Sequence, residues 1–212
     1  MVVHKYLYAL FDKIFVFDSY SCRLGKGTHK AVDRLEKFTR IVSKNYTKPC
    51  RALKLDIKKF FASVDHAILI QLLKRKVKEL DILWLLKEVI NSFCDCKGIP
   101  LGNLTSQVFA NIYLNELDQF VKHHLRVKFY LRYADDFVIL SGDNQSLERL
   151  VVTVSNFLRS YLKLELHPEK IIIRKLDWGI DFLGILFCLT TNYSGQRPGG
   201  EYLKNYFKKA VR

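Results

Sequence analysis

The strongest constraint on the fold comes from two strand-like segments that are separated by almost nothing. Residues 127–133 (VKFYLRY) and 137–141 (FVILS) are rich in β-branched and aromatic residues, and only Ala134, Asp135 and Asp136 lie between them. A connection of that length predicts a tight β-hairpin with the two aspartates at its tip. Aspartate is common in exposed turns, but two like charges at a partly buried site are costly without a cation.

The segments around this hairpin show a mixed pattern of strands and helices. Residues 51–56 (RALKLD) alternate apolar and polar side chains, and residues 170–176 (KIIIRKL) and 180–187 (IDFLGILF) predict two more strands. Three helices are predicted from apolar residues at three- and four-residue steps. These residues are Ile68, Leu69, Leu72, Leu73, Val77 and Leu80, with Ser63 or Asp65 as the N-cap; Phe109, Tyr113, Leu117, Phe120 and Val121; and Leu147, Leu150, Val151, Val154, Phe157, Leu158, Tyr161 and Leu162.

The order of these elements predicts an α+β fold. From Arg51 onward the order is β-α-α-β-β-α-β-β, and its kernel is the βαββαβ arrangement of ferredoxin-like folds. Such a fold has an antiparallel sheet with helices on one face, to which the last strand would be an addition. The segment before Arg51 carries a helical pattern.

Charge indicates a polyanionic partner. The 212 residues include 35 Lys and Arg against 21 acidic residues, a formal charge of +14. Nucleic acid is the first candidate and an anionic membrane the second, with simple solubility as the alternative. No apolar run approaches the roughly 18 residues of a membrane span, and the N-terminus does not resemble a signal peptide. The five scattered cysteines predict reduced thiols in the cytoplasm.

A third aspartate gives the paired carboxylates a chemical interpretation. In the predicted topology the strand that ends at Asp56 can lie beside the hairpin that carries Asp135 and Asp136. Carboxylates clustered in this way are the oxygen ligands that Mg²⁺ prefers. Two such ions serve in-line nucleotidyl transfer, in which one activates an attacking 3′-hydroxyl and the other stabilises the leaving pyrophosphate. The alternative for "ADD" alone is an exposed turn.

Five motifs resemble those of reverse transcriptases, over nearly the whole chain from Val2 to about Phe187. "RYADDFVIL" resembles the catalytic hairpin, "LDIKKFFASVDH" the first catalytic motif, and "IPLGNLTSQVFANIYLNELDQF" the loop and helix that contact template and nucleotide. "LHPEK" and "IDFLG" are similar to two later palm motifs. The form "LGNLTSQ" is similar to the enzymes of diversity-generating retroelements, and "DSYSCRLGKGTHKAVDRL" to these and to group II intron maturases.

The resemblance implies an RNA-directed DNA polymerase, with a role for each matching residue. Asp56, Asp135, Asp136 and the backbone carbonyl of Ile57 would bind two Mg²⁺ ions. An aromatic side chain beneath the incoming sugar would exclude ribonucleotides; Phe61 is the candidate and Phe60 competes with it. A cation or a proton would be supplied to the departing pyrophosphate by Lys170, with a solvated surface lysine as the alternative.

The resemblance also implies contacts with substrate and nucleic acid. Gly102 would let the backbone approach the base pair closely. For Arg132 the alternative is a pair with an acidic neighbour. The residues implied near template or nucleotide are Leu101, Gly102, Ser106, Gln107, Arg132 and Tyr133. Phosphate contacts are predicted for Arg23, Lys26 and Lys30, with an ordinary solvated surface as the alternative.

The domain boundaries and the partners follow from the same resemblance. We expect partial helical fingers over residues 1–48, a palm over 49–187, and a basic tail or the start of a truncated thumb over 188–212. Family members carry a further fingers hairpin and a helical thumb, so the chain is interpreted as a minimal enzyme, a decayed copy or, as we favour, a fragment. Expected partners are an RNA template, a nucleic-acid primer, deoxynucleoside triphosphates and a small basic accessory protein, without a membrane. The competing hypothesis is a catalytically silent RNA-binding palm.

Overall fold

A four-stranded antiparallel sheet forms the centre of the molecule. A computed structural model describes residues 2–92 and 96–187. The strands are β1 (Arg51–Asp56), β2 (Tyr130–Tyr133), β3 (Asp136–Ser141) and β4 (Ile172–Lys175). They lie in the order β2-β3-β1-β4, and every neighbouring pair is antiparallel. The predicted hairpin and the α+β fold class are thereby confirmed.

Helices cover both faces of this sheet. The helices are α1 (Val2–Phe11), α2 (Thr28–Val42), α3 (Phe60–Ser63), α4 (His66–Lys74), α5 (Leu80–Asn91), α6 (Leu104–Gln119) and α7 (Asn144–Leu162). Leu53 and Leu55 of β1 point into the larger core, which also contains buried residues of α1, α4, α5, α6 and α7. Ala52, on the opposite face as strand alternation requires, joins a smaller core with Leu35 and Phe38 of α2. The prediction of helices on one face thus holds for the larger core, and α2, from the segment before Arg51, adds a helix to the other face.

The helix predicted from Ile68 to Leu80 is wrong in its extent. Helix α4 ends at Lys74, and a separate helix that the pattern did not predict, α5, begins at Leu80. The chain turns where Val77, which is fully buried, donates its backbone N–H to the Leu73 carbonyl at 2.9 Å. Of the two proposed caps, Asp65 is the one used, since its Oδ1 accepts from the Ile68 N–H at 3.1 Å.

The prediction of one strand over residues 180–187 is also wrong. The segment folds into a hairpin of β5 (Ile180–Phe182) and β6 (Ile185–Phe187), which form a separate two-stranded sheet. Leu183 and Gly184 occupy the turn with φ values of 59° and 74°. A two-residue hairpin loop with positive φ at both positions is a type I′ turn, and leucine there gives no sequence signal for it.

The predicted domain boundaries remain an expectation, and the predicted tail at 188–212 lies outside the described residues. Within the described ranges, no helix is long and apolar enough to cross a membrane.

Candidate active site

Three carboxylates lie at one end of the central sheet. The register of β1 and β3 places Asp56 directly opposite Asp136. Tyr133 pairs with Asp136 across β2 and β3, so Ala134 and Asp135 form the whole connection. Ala134 adopts a left-handed conformation with φ of 53°, which a turn this tight requires. The sequence-based expectation that the strand ending at Asp56 lies beside the hairpin is confirmed.

Two lysines hold two of these carboxylates. The Lys170 Nζ donates to the Asp56 Oδ2 at 3.0 Å, while half of its side chain, 52%, stays exposed to solvent, so its role towards pyrophosphate stays a prediction. The Lys54 Nζ lies 3.1 Å from the Asp136 Oδ2 and also donates to the Asp181 main-chain oxygen in β5 at 2.7 Å. Sequence reasoning missed Lys54. The available signal was strand periodicity, because Lys54 and Asp56 are two residues apart and share a face of β1.

Burial and like charge disfavour ionisation of the paired aspartates. Burial raises the pKa of Asp136 to about 6, and the carboxylates of Asp56 and Asp135 act in the same direction against the attraction of Lys54. Burial also raises the pKa of Asp135, with Asp56 adding to the effect. The hydrogen bond to Asp56 raises the pKa of Lys170. The site therefore holds more negative charge than its own lysines neutralise.

The donor atoms fit a hard divalent cation. The Asp136 Oδ1 is buried and has no hydrogen-bond partner, which is costly for a carboxylate oxygen and is relieved by a metal ion. Among residues 2–92 and 96–187, however, no three acidic, histidine or cysteine side chains converge into a ready ligand set. Asp56 and Asp136 turn towards Lys170 and Lys54 instead. Both contacts use an Oδ2 atom, so the Oδ1 atom of Asp136 stays available to a metal ion while Lys54 remains in place.

The backbone of Ile57 faces the carboxylates. The Lys58 N–H donates to the Glu165 carbonyl at 2.9 Å, and the His167 N–H donates to the Asp56 carbonyl at 2.8 Å. These two bonds flank Ile57, so its own N–H and carbonyl point away from residues 165–167 and towards the β3 side. The role of the Ile57 carbonyl as a main-chain metal ligand stays a prediction.

The two phenylalanines of α3 differ in their surroundings. Phe60 is buried with 1% exposed, and its ring lies 6.4 Å from that of Tyr113 in the core. Phe61 is only partly buried, with its ring 5.4 Å from that of Phe60 in an edge-on arrangement. Of the two, only Phe61 is partly accessible to solvent, so it remains the candidate for contact with the sugar.

The loop before α6 lies next to Phe61. The Ile99 N–H donates to the Phe61 carbonyl at 2.7 Å. Leu101 is 76% exposed, and Gly102 has φ of 81° with open space where a Cβ would stand. Gln107 is half-buried at the start of α6. Ser106 is buried with 2% exposed, so the structure does not present it to substrate as predicted.

Arg132 does not reach the template, which corrects its predicted role. It is fully buried, and its Nη2 and Nε contact the Asp118 carboxylate at 2.6 and 2.8 Å. Its Nη1 donates to the Ala134 carbonyl at 2.8 Å. The alternative of a pair with an acidic neighbour is therefore the one observed, and this pair anchors the turn that carries Asp135.

The predicted phosphate contacts have different environments. The Arg23 side chain is only 8% exposed and pairs with Asp12 at 2.7 Å, so it is not available to a phosphate. Lys26 donates to the Phe17 carbonyl at 2.8 Å and is half-buried, whereas Lys30 is exposed. The half-buried Tyr133, at the end of β2, accepts a hydrogen bond from the Thr28 hydroxyl at 3.4 Å.

Comparison with known proteins decides the family. Residues 1–187 match the family model described as reverse transcriptase (RNA-dependent DNA polymerase). The chain belongs to the reverse transcriptase family. Reverse transcriptases in general use divalent metal ions, in agreement with the donor atoms at the end of the sheet.

Intron proteins are among the relatives of this reverse transcriptase chain. A putative COX1/OXI3 intron 2 protein of Saccharomyces cerevisiae is 22% identical over 209 residues, covering 68% of this chain and 24% of that protein. Protein YkfC of Escherichia coli is 24% identical, covering 78% of this chain and 54% of that protein. The group II intron-encoded protein LtrA of Lactococcus lactis is 24% identical, covering 61% and 33%. The chain thus spans about a quarter to a half of the length of these relatives.

Solved structures support the same fold. Telomerase from Candida tropicalis in complex with a TWJ fragment of telomeric RNA aligns with a TM-score of 0.63 at 16% identity, covering 100% of this chain and 41% of that chain. Telomerase from Candida albicans in the corresponding complex aligns with a TM-score of 0.60 at 11% identity, covering 100% and 42%. At these identities the comparison shows the shared fold.

Proposed function

We propose that this chain is the catalytic part of an RNA-directed DNA polymerase that adds deoxynucleotides to a primer 3′-hydroxyl on an RNA template. The observation that carries the proposal is the placement of Asp56, Asp135 and Asp136 at one end of the sheet in a chain of the reverse transcriptase family. An exposed turn without function would not have a buried carboxylate oxygen that lacks a partner.

The three aspartates and the Ile57 carbonyl would hold two Mg²⁺ ions. When bound, these ions would activate the primer hydroxyl and stabilise the leaving pyrophosphate. Lys54 fixes the orientation of the Asp136 carboxyl group through a contact that also reaches the β5 backbone. Lys170 is 52% exposed in its side chain and stands beside Asp56, where its ammonium group can supply a proton to the departing pyrophosphate.

Substrate selection would lie on the surface that Phe61 and the neighbouring loop form. The partly exposed Phe61 ring would occupy the space that a 2′-hydroxyl needs, and thereby select deoxynucleoside triphosphates. Leu101, Gly102 and Gln107 would border the nascent base pair, because the loop is hydrogen-bonded to the Phe61 backbone.

The biological setting that we propose is a diversity-generating retroelement, on the strength of the "LGNLTSQ" motif. Under this assignment the enzyme would work in the cytoplasm with a small basic accessory protein. A group II intron maturase or a retron-type enzyme is the second candidate, and the intron proteins among the relatives favour the maturase. A template and variable repeat near the gene would support the first, and flanking intron RNA the second.

A catalytically silent RNA-binding palm is the competing function. The observation in its favour is that Lys54 and Lys170 already pair with Asp136 and Asp56. Against it, a purely binding surface for a polyanion gains nothing from three carboxylates.

Primer extension tests the proposal. The parent chain, Asp136→Asn and the exposed-carboxylate control Asp33→Asn are compared on an RNA template with a labelled primer and Mg²⁺. We expect DNA product from the parent and the control, and none from Asp136→Asn or in EDTA. Equal absence of product in all three, with RNA binding retained, would support the silent palm instead.

A further inference from the structure

A cationic groove lies at the opposite end of the sheet from the carboxylates. Its volume is about 400 Å³, and it is bordered by the segment before α2 and by the turn that leads into β2. The lining residues are Val16, Phe17, Lys122, His123, Arg126, Val127 and Lys128. Of the described residues that line it, none is acidic, so the groove presents only positive or neutral groups.

The groove and the catalytic end lie at opposite ends of β2. Residues 18–20 run beside β2 as an edge segment, with the Arg132 N–H donating to the Asp18 carbonyl at 2.9 Å and the Tyr20 N–H donating to the Arg132 carbonyl at 2.9 Å. Lys128 precedes β2 and Asp135 follows it, so the four residues of the strand lie between them. Four strand residues alone span roughly 13 Å. One nucleotide therefore cannot contact both.

The groove is held in shape by interactions that also neutralise the nearest acid. Asp18 is only 3% exposed and pairs with Arg34 at 2.8 Å and Lys122 at 2.9 Å. The Lys122 Nζ also donates to the Lys128 carbonyl at 2.9 Å, which ties the end of α6 to the turn before β2. Asp18 offsets one of the two positive charges of Arg34 and Lys122, so the charge that the groove shows to solvent comes mainly from Arg126 and Lys128.

The turn that carries Arg126 has a strained backbone conformation that a hydrogen bond holds in place. Residues 120–124 continue α6 as a π-helical turn, and Arg126 follows in a left-handed conformation with φ of 55°. The Val127 N–H closes the turn by donating to the Val121 carbonyl at 3.0 Å. A non-glycine residue held in this region costs free energy, and such strain is concentrated at functional sites. Here the turn leaves Arg126 and Lys128 exposed.

An exposed aromatic ring completes the groove. Phe17 is 64% exposed, although it is a large apolar side chain. The Lys26 Nζ lies 3.4 Å from the centroid of its ring, and the Arg34 guanidinium carbon lies 5.1 Å from it. An exposed ring among cations is the combination that binds single-stranded nucleic acid, because bases stack on the ring while phosphates meet the charges.

We propose that this groove is a second binding site for single-stranded RNA, separate from the catalytic end. Phosphates contact Arg126 and Lys128, with Lys122 and His123 beside them, and one base stacks on Phe17. An acidic peptide would satisfy the charges, but it carries no base to stack on the part of the Phe17 ring that Lys26 leaves uncovered. The choice of RNA over DNA rests on the proposed function.

The test measures binding of a labelled 12-nucleotide oligo-U by fluorescence anisotropy as a function of salt. Arg126→Asn/Lys128→Gln removes two charges, and asparagine tolerates the left-handed backbone at position 126. Lys74→Gln/Lys76→Gln is the matched control, since it removes two exposed charges outside the groove. Thermal unfolding of each variant shows that it is folded.

Counterion release sets the size of the expected effect. Each phosphate contact on a single strand contributes about 0.7 to the slope of log K against log salt. The groove variant should therefore lose roughly 1.4 from the slope, and on the order of 20-fold in affinity at 0.1 M salt. The control should match the parent. Phe17→Ala should weaken binding about tenfold without changing the slope, because stacking releases no counterions.

Competition separates this inference from the proposed function. A primer–template duplex, which would occupy the catalytic end, should not displace oligo-U, and the groove variant should still extend a primer on a short template. If the parent does not extend a primer but binds oligo-U through the groove, the proposed polymerase function is refuted and the groove assignment is retained. Equal affinity and slope in the groove variant, the control and the parent would overturn the groove assignment. Groove-dependent preference for phosphatidylserine vesicles or for poly-glutamate over oligo-U would also overturn it.

Discussion

Replacing Asp136 by asparagine should make this protein more stable at neutral pH while it abolishes polymerisation. The carboxyl group is largely buried, with 17% of its side chain exposed, and its Oδ1 has no partner. Burial raises its pKa from 3.8 to about 6 even though Lys54 is 3.1 Å away. Ionisation at that position therefore costs the native state free energy, and the uncharged amide of an asparagine would avoid this cost.

The magnitude follows from the pKa. A rise from 3.8 to about 6 corresponds to roughly 3 kcal/mol in favour of the neutral form. Since water reaches part of the group, we expect about 2 kcal/mol of added stability in Asp136→Asn at pH 8.

The direction in which stability changes with pH depends on whether the native or the unfolded state releases the Asp136 proton first. Between pH 4 and pH 6 the unfolded chain has already lost the Asp136 proton while the native chain still holds it, so parent stability falls as pH rises through this window. The gain in the variant should therefore be absent near pH 4 and complete above pH 7.

Urea denaturation followed by circular dichroism, in EDTA at pH 4.5 and pH 8, measures this difference. Asp33→Asn serves as the control, because that carboxylate is exposed on α2 and its removal should change the free energy of unfolding by less than about 0.5 kcal/mol. Addition of Mg²⁺ should narrow the gap at pH 8 by stabilising only the parent. A variant that is equally or less stable than the parent at pH 8, or a gain that is the same at both pH values, would refute the reasoning.

Three further substitutions test other parts of the account. Phe61→Ala should relax discrimination against ribonucleotides by tenfold or more with a small loss of stability, as measured by single-nucleotide incorporation. Phe60→Ala should instead lower the free energy of unfolding by about 3–5 kcal/mol, as measured by urea denaturation, because its ring is buried. Arg132→Ala should destabilise the fold by about 3–5 kcal/mol, since it leaves a fully buried carboxylate unpaired, and a loss of template affinity without a loss of stability would contradict this. Lys54→Met removes the cation that opposes protonation of Asp136, so the acidic limb of the pH–rate profile should move to higher pH. An unchanged profile would contradict the effect of Lys54 on the pKa of Asp136.

Local patterns predicted the catalytic end of the sheet because each of its parts is short and periodic. The hairpin followed from the three residues between two strand-like segments, and Asp56 followed from the alternating segment that ends with it. Antiparallel pairing then has few alternatives, since a shift of one residue would exchange the two faces of β1. The observed pair of Asp56 and Asp136 is the result.

Features that depend on tertiary contacts could not be predicted in this way. Arg132 is a charged residue in a fully buried position, and only the fold shows that Asp118 lies within reach of it. Helix α5 escaped notice because several of its large apolar residues, including Trp84, are exposed and do not mark one buried face. The turn at Leu183 requires a backbone conformation that leucine rarely adopts.

Incorporation of a single deoxynucleotide tests the central claim most directly. The parent, Asp56→Asn and Asp33→Asn are each given a primer annealed to RNA, Mg²⁺ and one deoxynucleoside triphosphate at a time. The account predicts that the parent and the Asp33 variant extend the primer by the nucleotide complementary to the template, and that the Asp56 variant does not. Extension that persists in Asp56→Asn, or that ignores the template base, would contradict the account.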